Sequence, residues 1–397
     1  MSAIKKFLFF ALPVYVLCML SVGSSAAGIE NEGRDAVQLA RSSSSGFTPT
    51  GSMLSAREDH TETLLNDGKV LVVGGMHWVP EGCRGCGLEL KVLASAELYD
   101  PATGKFTSTG SMSVSRVFHT ATLLRNGEVL VAGGDNRNGT TYATAELYDP
   151  ATGLFTLLGN KMTTARSAHT ATLLANGKVL LAGGGVNSTS TAEIFDPVTE
   201  KFTATGSMHV GRFYFTATLL NNGRVLVAGG ICDNNGCTGT ITSSAELFNT
   251  ATGTFALTGS MSVERSSHTA TLLKSGSVLV AGGASSGGTT ATAELYDPST
   301  GVFGPTGSMG SPRELHTATR LTSGDVLVTG GGDGNATLSS AELFNPSTGS
   351  FTSAGVMETP RSEQAATLLM NGDVLVTGGI NSTNGGLNSL ASAELFP

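Results

Sequence analysis

Seven arginines, Arg57, Arg116, Arg166, Arg212, Arg265, Arg313 and Arg361, each stand 17 residues ahead of a Gly-Gly pair. Five histidines, His60, His119, His169, His268 and His316, each follow their arginine by three residues; Phe215 and Gln364 hold that place in the other two repeats. Seven glutamates recur further on, at 97, 146, 193, 246, 294, 342 and 394. A ring of guanidinium groups at a channel mouth would attract anionic ligands, and imidazoles are metal ligands. A residue present in every repeat is more simply structural: it satisfies backbone groups, pairs with a neighbour or packs between repeats. Five histidines spread around a ring do not converge on one ion. No metal and no cofactor are therefore expected, while the arginines stay as candidate ligand-binding groups.

Residues that break the repetition are better placed to carry function. The longest inter-repeat loop, 76–94, holds His77, Trp78 (the single tryptophan), Arg84, Glu89 and Lys91. An aromatic beside mixed charges is the make-up of a contact patch, and packing of Trp78 onto the fold is the competing reading. Phe213-Tyr214-Phe215 adds aromatics where other repeats have small residues or histidine, for which packing between repeats is the simpler account. Cys83 and Cys86 share the first loop, and Cys232 and Cys237 share the fourth. An even count in an exported chain favours local disulfides, Cys83–Cys86 and Cys232–Cys237. No helix start is expected there to activate a thiol. No Gly-x-Ser-x-Gly, His-Glu-x-x-His or phosphate loop is present, so no catalytic residue is assigned.

The elements that position these residues follow from the repeat. The second repeat reads Arg116 to Leu124, then Asn126-Gly127, then Val129 to Gly134, then Ala145-Glu146-Leu147-Tyr148-Asp149-Pro150, then Gly153 and Phe155. The same order occurs seven times, with Gly-Gly beginning at 74, 133, 183, 229, 282, 330 and 378. Each repeat holds four strand signals, the Val-Leu-Val run being apolar on both faces. Asn-Gly between the first two strands predicts a type I′ turn, and Asp-Pro with a following glycine predicts the turn between the last two. No segment has helical period. From Gly-Gly to glutamate the spacing is 23, 13, 10, 17, 12, 12 and 16 residues, so the loop joining strands two and three absorbs the length variation. Variable loops on one face of a rigid scaffold are how repeat proteins bind. Phe47 matches the fourth-strand phenylalanines at 106, 155, 202, 255, 303 and 351, whereas nothing follows Phe396-Pro397. The segment 47–53 is therefore expected to complete the seventh repeat and remove the open edge.

These features identify an all-β, seven-bladed β-propeller, and they resemble kelch repeats, including those in the central domain of galactose oxidase. The arginine, the double glycine, the Glu-x-Tyr/Phe-Asp strand and the aromatic opening strand four carry the likeness over residues 47–397. Phenylalanine replaces the tryptophan usual at that last position. The resemblance implies the fold and leaves function open, because such propellers include enzymes and binding modules. Galactose oxidase uses copper with tyrosine and histidine ligands, partly from a domain after its propeller, and no such constellation carries over. A sugar mutarotase is the enzyme alternative that the resemblance brings. It needs an acid–base residue near a sugar, here a glutamate and an arginine at the mouth, and a deep channel mouth with one glutamate lacking a symmetry mate would favour it. A broad, shallow loop face would favour binding.

Lys5-Lys6, the apolar run Phe7 to Leu20 and Ser25-Ala26-Ala27 read as a signal peptide over 1–27. Residues 28–46, ending in a serine run, read as a flexible leader. Removing 1–27 takes the basic count from 23 to 21 against 31 acids, a net charge of −10. An acidic chain without basic clusters argues against nucleic acid and anionic membranes. The expectation is a secreted monomer, periplasmic or extracellular, that recognises a protein or glycan through its variable face and does not insert into membranes.

Overall fold

The computed structural model describes residues 46–80, 88–185, 189–232, 239–382 and 386–397. Seven four-stranded antiparallel sheets form the blades of a propeller. In the first blade the strands are Thr61–Leu64, Val70–Val73, Ala96–Asp100 and Lys105–Ser108, in that spatial order. The seventh takes its fourth strand from the start of the chain, where Thr48–Pro49 pairs with Ala393–Phe396 and Phe47 lies 5.1 Å from the Phe396 ring. The ring closes as the sequence requires. Among the described residues no helix is long and apolar enough to cross a membrane.

The core lies between blades. Val70, Val72, Tyr99 and Phe106 of the first blade pack with Leu369, Leu375 and Ala393 of the seventh, and the other seams repeat this. Each second strand is completely buried, as its uniformly apolar run demands. The double glycine sits where adjacent blades touch. A Cβ on Gly74 would come within 2.7 Å of both the Arg116 carbonyl and the His119 ring, while the Gly75 N–H donates to that carbonyl at 2.9 Å. Only glycine fits.

Two local readings are corrected. The strand one–two turns are not type I′, since the glycine has positive φ (Gly127, 93°) but its asparagine does not. Gly127 donates to Leu124 and Leu124 to Glu128, a type I turn followed by a left-handed glycine. Several strand two–three loops are also more ordered than the loop reading implies. The first is a hairpin of Met76–Pro80 against Leu88–Val92, and shorter hairpins stand on the fourth, fifth and seventh blades.

Candidate functional site at the axial mouth

The repeated arginines are 0 % exposed. Each Nη2 pairs with the glutamate of its own blade at 2.7–3.1 Å. In the first blade Arg57 Nη1 also donates to the Gly74 and Ser95 carbonyls, at 2.9 and 3.0 Å. The glutamate's other oxygen accepts from the chain entering the blade, Leu54 N to Glu97 Oε2 at 2.6 Å. The charge is matched inside the blade and the guanidinium is fully buried, so this ring offers no surface to a ligand. The histidines are equally committed. His119 Nε2 bonds Thr61 of the preceding blade at 3.0 Å, and the His169, His268 and His316 rings do the same. Burial first, and nearby arginines second, hold His119 at a pKa of about 3. Phe215 and Gln364 fill the same space against Gly183 and Gly330.

The residue just before this histidine position behaves differently. Asp59, Phe118, Ala168, Tyr214, Ser267, Leu315 and Glu363 all have φ between 49° and 57°. Seven non-glycine residues in the left-handed region carry strain of roughly 1 kcal/mol or more each. A circlet of backbone hydrogen bonds between blades holds them: Asp59 N to Glu363 O, Glu363 N to Leu315 O, Leu315 N to Ser267 O, and onward to Phe118, at 3.0–3.3 Å. Their side chains line a cavity of about 330 Å³ on the propeller axis. It opens on the face of the strand two–three loops. The backbone there is seven-fold and the side chains are not.

Two carboxyls meet on one wall. Asp59 and Glu363 are hydrogen-bonded to each other. Burial pushes both up, and Asp59 is raised further by the charges of Glu363 and Glu58. Two carboxyls in contact share a proton rather than both ionise. Arg137, from the second blade's strand two–three loop, opposes the rise in each; its guanidinium lies 5.5 Å over the Phe118 ring. Tyr214 meets Phe118 edge-on at 5.8 Å, and burial raises its hydroxyl so that it stays a phenol. A donor, an acceptor, a cation and an aromatic wall therefore converge on a space the size of one or two sugar rings.

Around this mouth the sequence candidates take varied places. Trp78 is half-buried, its indole near Glu58 and its backbone N–H donating to Ser389 Oγ at 3.0 Å. His77 Nδ1 bonds the Ala56 carbonyl at 3.1 Å. Arg84, Cys83, Cys86 and Cys237 lie outside the described residues, while Cys232 is disulfide-bonded. In Phe213-Tyr214-Phe215 the outcome is split: Phe215 packs between blades and Tyr214 lines the mouth. The reading of the sequence missed Asp59, Glu363 and Arg137. The signal for the first two was present, because the column before the repeated histidine reads Asp, Phe, Ala, Tyr, Ser, Leu, Glu, between an arginine two residues before it that never changes and a histidine that changes twice.

Among the described residues no three His, Cys, Asp or Glu side chains are grouped to hold a metal ion. Among the described residues the five imidazoles that line the mouth bond threonine hydroxyls through Nε2.

No family model matches the sequence, and no curated protein matches it either. Solved structures do. A fungal alcohol oxidase of the AA5 family, in complex with copper, superposes with a TM-score of 0.66 at 18% identity, covering 88% of this chain and 75% of that one. The structure of YjhT gives a TM-score of 0.57 at 15% identity, covering 76% of this chain and 98% of that one. At these identities the shared property is the fold, a seven-bladed propeller resembling that of the galactose oxidase-like AA5 proteins.

Proposed function

We propose that this chain is an exported binding protein whose ligand is a glycan, taken end-on by the axial mouth of the variable face. The observation that carries the reading is the Asp59–Glu363 pair, unrepeated in the other blades and set in a cavity of about 330 Å³. Paired carboxyls suit vicinal hydroxyls, and Phe118 and Tyr214 suit the apolar face of a pyranose. The cavity's size favours a glycan terminus over a protein surface. The disulfide at Cys232 supports export, because such bonds persist in oxidising compartments. Kelch-type repeats remain the pattern the sequence resembles.

One observation favours a second reading. Two contacting carboxyls that hold one proton are an acid and a base at once, the equipment for opening and reclosing a sugar ring. One experiment addresses both readings. A panel of mono- and oligosaccharides is titrated into the wild type, Asp59→Asn and Glu363→Gln by calorimetry, and anomer exchange is followed by NMR. Saturable binding that weakens at least tenfold in both variants is expected. Exchange accelerated by the wild type alone selects the enzyme reading. Sugar binding indifferent to both substitutions removes the axial site, and absence of binding by the whole panel removes the glycan.

A further inference from the structure

A second cavity, of about 340 Å³, opens between the third and fourth blades on the face opposite the variable loops. Two departures from the repeat, Ala175 and Thr250, stand at its seam. In the second and fifth blades the residue after the last leucine of strand one spans the seam: Arg125 donates to the Ala175 carbonyl, and Lys274 Nζ to the Thr322 carbonyl at 2.6 Å. In the third blade that residue is Ala175, which is too short, and a Cβ built on Gly223 across the seam meets nothing within 4 Å. At the equivalent position between the first and second blades Thr109 bonds the Tyr148 hydroxyl at 2.9 Å. The fourth blade has Phe248 there, so Thr205 is left with the Gly253 carbonyl at 3.0 Å. Thr250 replaces the proline that follows the third strand in the first, second, third, fifth and sixth repeats, and its hydroxyl donates to the Gly223 carbonyl at 3.1 Å.

The charges at this cleft are uneven. Lys178 Nζ pairs with Asp196 at 2.9 Å, which leaves the exposed Lys201 ammonium to set the sign. The first blade also has lysines at both positions, Lys69 and Lys105, but the longer Asn66 stands there in place of Ala175. An unfilled seam and this lysine pair thus coincide in the third blade. We infer that this cleft is a second ligand site, which takes a small hydroxylated anion. Lys201 would meet the anionic group, Asp196 would accept from a hydroxyl, and the Thr199 and Thr203 side chains at the wall would serve the remaining hydroxyls. A ligand of hexose size fits the volume, and a neutral sugar leaves the Lys201 charge unanswered. The carboxylate and the phosphate ester are the two sources of such an anion.

The test uses the full chain with gluconate, glucose 6-phosphate and glucose as probes, read by calorimetry. At least one anion is expected to bind at least tenfold more tightly than glucose, and the stronger of the two tells carboxylate from phosphate. Lys201→Gln should weaken it at least fivefold. Ala175→Arg, which places at 175 the residue the second blade has at 125, should carry a side chain across the seam beside the lining residues Leu174 and Asn176 and abolish binding without lowering the melting temperature. Should that variant fold poorly, Ala175→Asn makes the same test with the residue found at 66 and 221. Asp59→Asn should leave this binding intact, which separates it from the axial site. The site is overturned if neither anion binds, if binding survives the bridged seam, or if Asp59→Asn removes it. A melting temperature raised by Ala175→Arg without anion binding by the wild type would mean that the cleft is a packing gap.

Discussion

Arg57 and Asp59 are two residues apart, and their surroundings are opposite. Arg57 is fully buried with its charge matched by Glu97 at 2.7 Å, and the arrangement recurs in every blade. Asp59 faces the axis against a second acid, Glu363, with Glu58 and Glu314 also near and Arg137 the cation that opposes them. The seven-fold charges are each matched by an acid of the same blade, whereas the charges that occur once are left unbalanced. Matched pairs hold the blade to the chain entering it. An unbalanced pair retains free energy that a ligand can release, which is the physical reason to look for function where the repetition fails.

The sharpest test of that contrast removes one acid of each kind. Glu193→Ala would leave Arg166 buried without its partner at 3.0 Å and strip the acceptor from the Thr163 N–H. Breaking a buried pair in this way costs about 3–5 kcal/mol, to be read as a drop in the denaturant midpoint. Glu363→Gln should change stability by less than about 1 kcal/mol, since it removes a repulsive neighbour of Asp59. Comparable losses in the two variants would erase the distinction.

A smaller effect follows from pH, at the seam between the seventh and first blades. Six inner strands carry alanine where the first carries Glu62, whose oxygens accept from Thr377 and Thr367 of the seventh blade. Thr377 also bonds His60 Nε2 at 2.8 Å. Burial raises Glu62 from 4.5 to about 7 despite those two hydroxyls, and burial with the Glu363 charge raises Glu58 to about 8. The folded protein then holds protons that the unfolded chain has released. The stability from these groups is complete below pH 4.5 and is lost as pH rises through 7 to 8. The melting temperature should fall across that window, by an equivalent of about 3 kcal/mol for Glu62. Glu62→Gln should flatten the fall, and an unchanged slope in that variant would place the titration elsewhere.

How much of this was legible in the chain depends on what repeats. Blade count, closure by Phe47 and the variable face follow from spacing, because a hydrophobic period and fixed turn glycines admit few arrangements. The structural fate of the arginines was legible too, since a residue used seven times must meet a need that every blade has. The axial acids were not picked out: Asp59 and Glu363 are 304 positions apart, and only ring closure brings them together. The type I turns were misread because Asn-Gly serves both turn types, and the choice falls to the bulge at the following pair. The cleft beside Ala175 is invisible in composition, being the absence of a side chain whose role emerges only beside Arg125 and Lys274.

The smallest effect tests the first loop, which the sequence marked as a contact patch or as packing. The structure turns the Trp78 indole inward toward Glu58, where it favours the charged carboxylate, beside Ser389 Oγ, which donates to Glu58 at 3.1 Å. Its ring is half-buried, so part of it still faces the variable surface. Trp78→Phe keeps an aromatic face and deletes the N–H. If the residue mainly packs the hairpin, the loss is one polar interaction with a carboxyl, about 1 kcal/mol of stability or less given its partial exposure. Glycan affinity should then stay within about threefold, because an interface residue outside the central anchor contributes little. If Trp78 is itself the anchor, affinity should fall at least tenfold at unchanged stability, since phenylalanine offers a smaller face to a sugar ring. Measuring both quantities on one variant separates the outcomes, and the inward turn toward Glu58 makes the first the expected result.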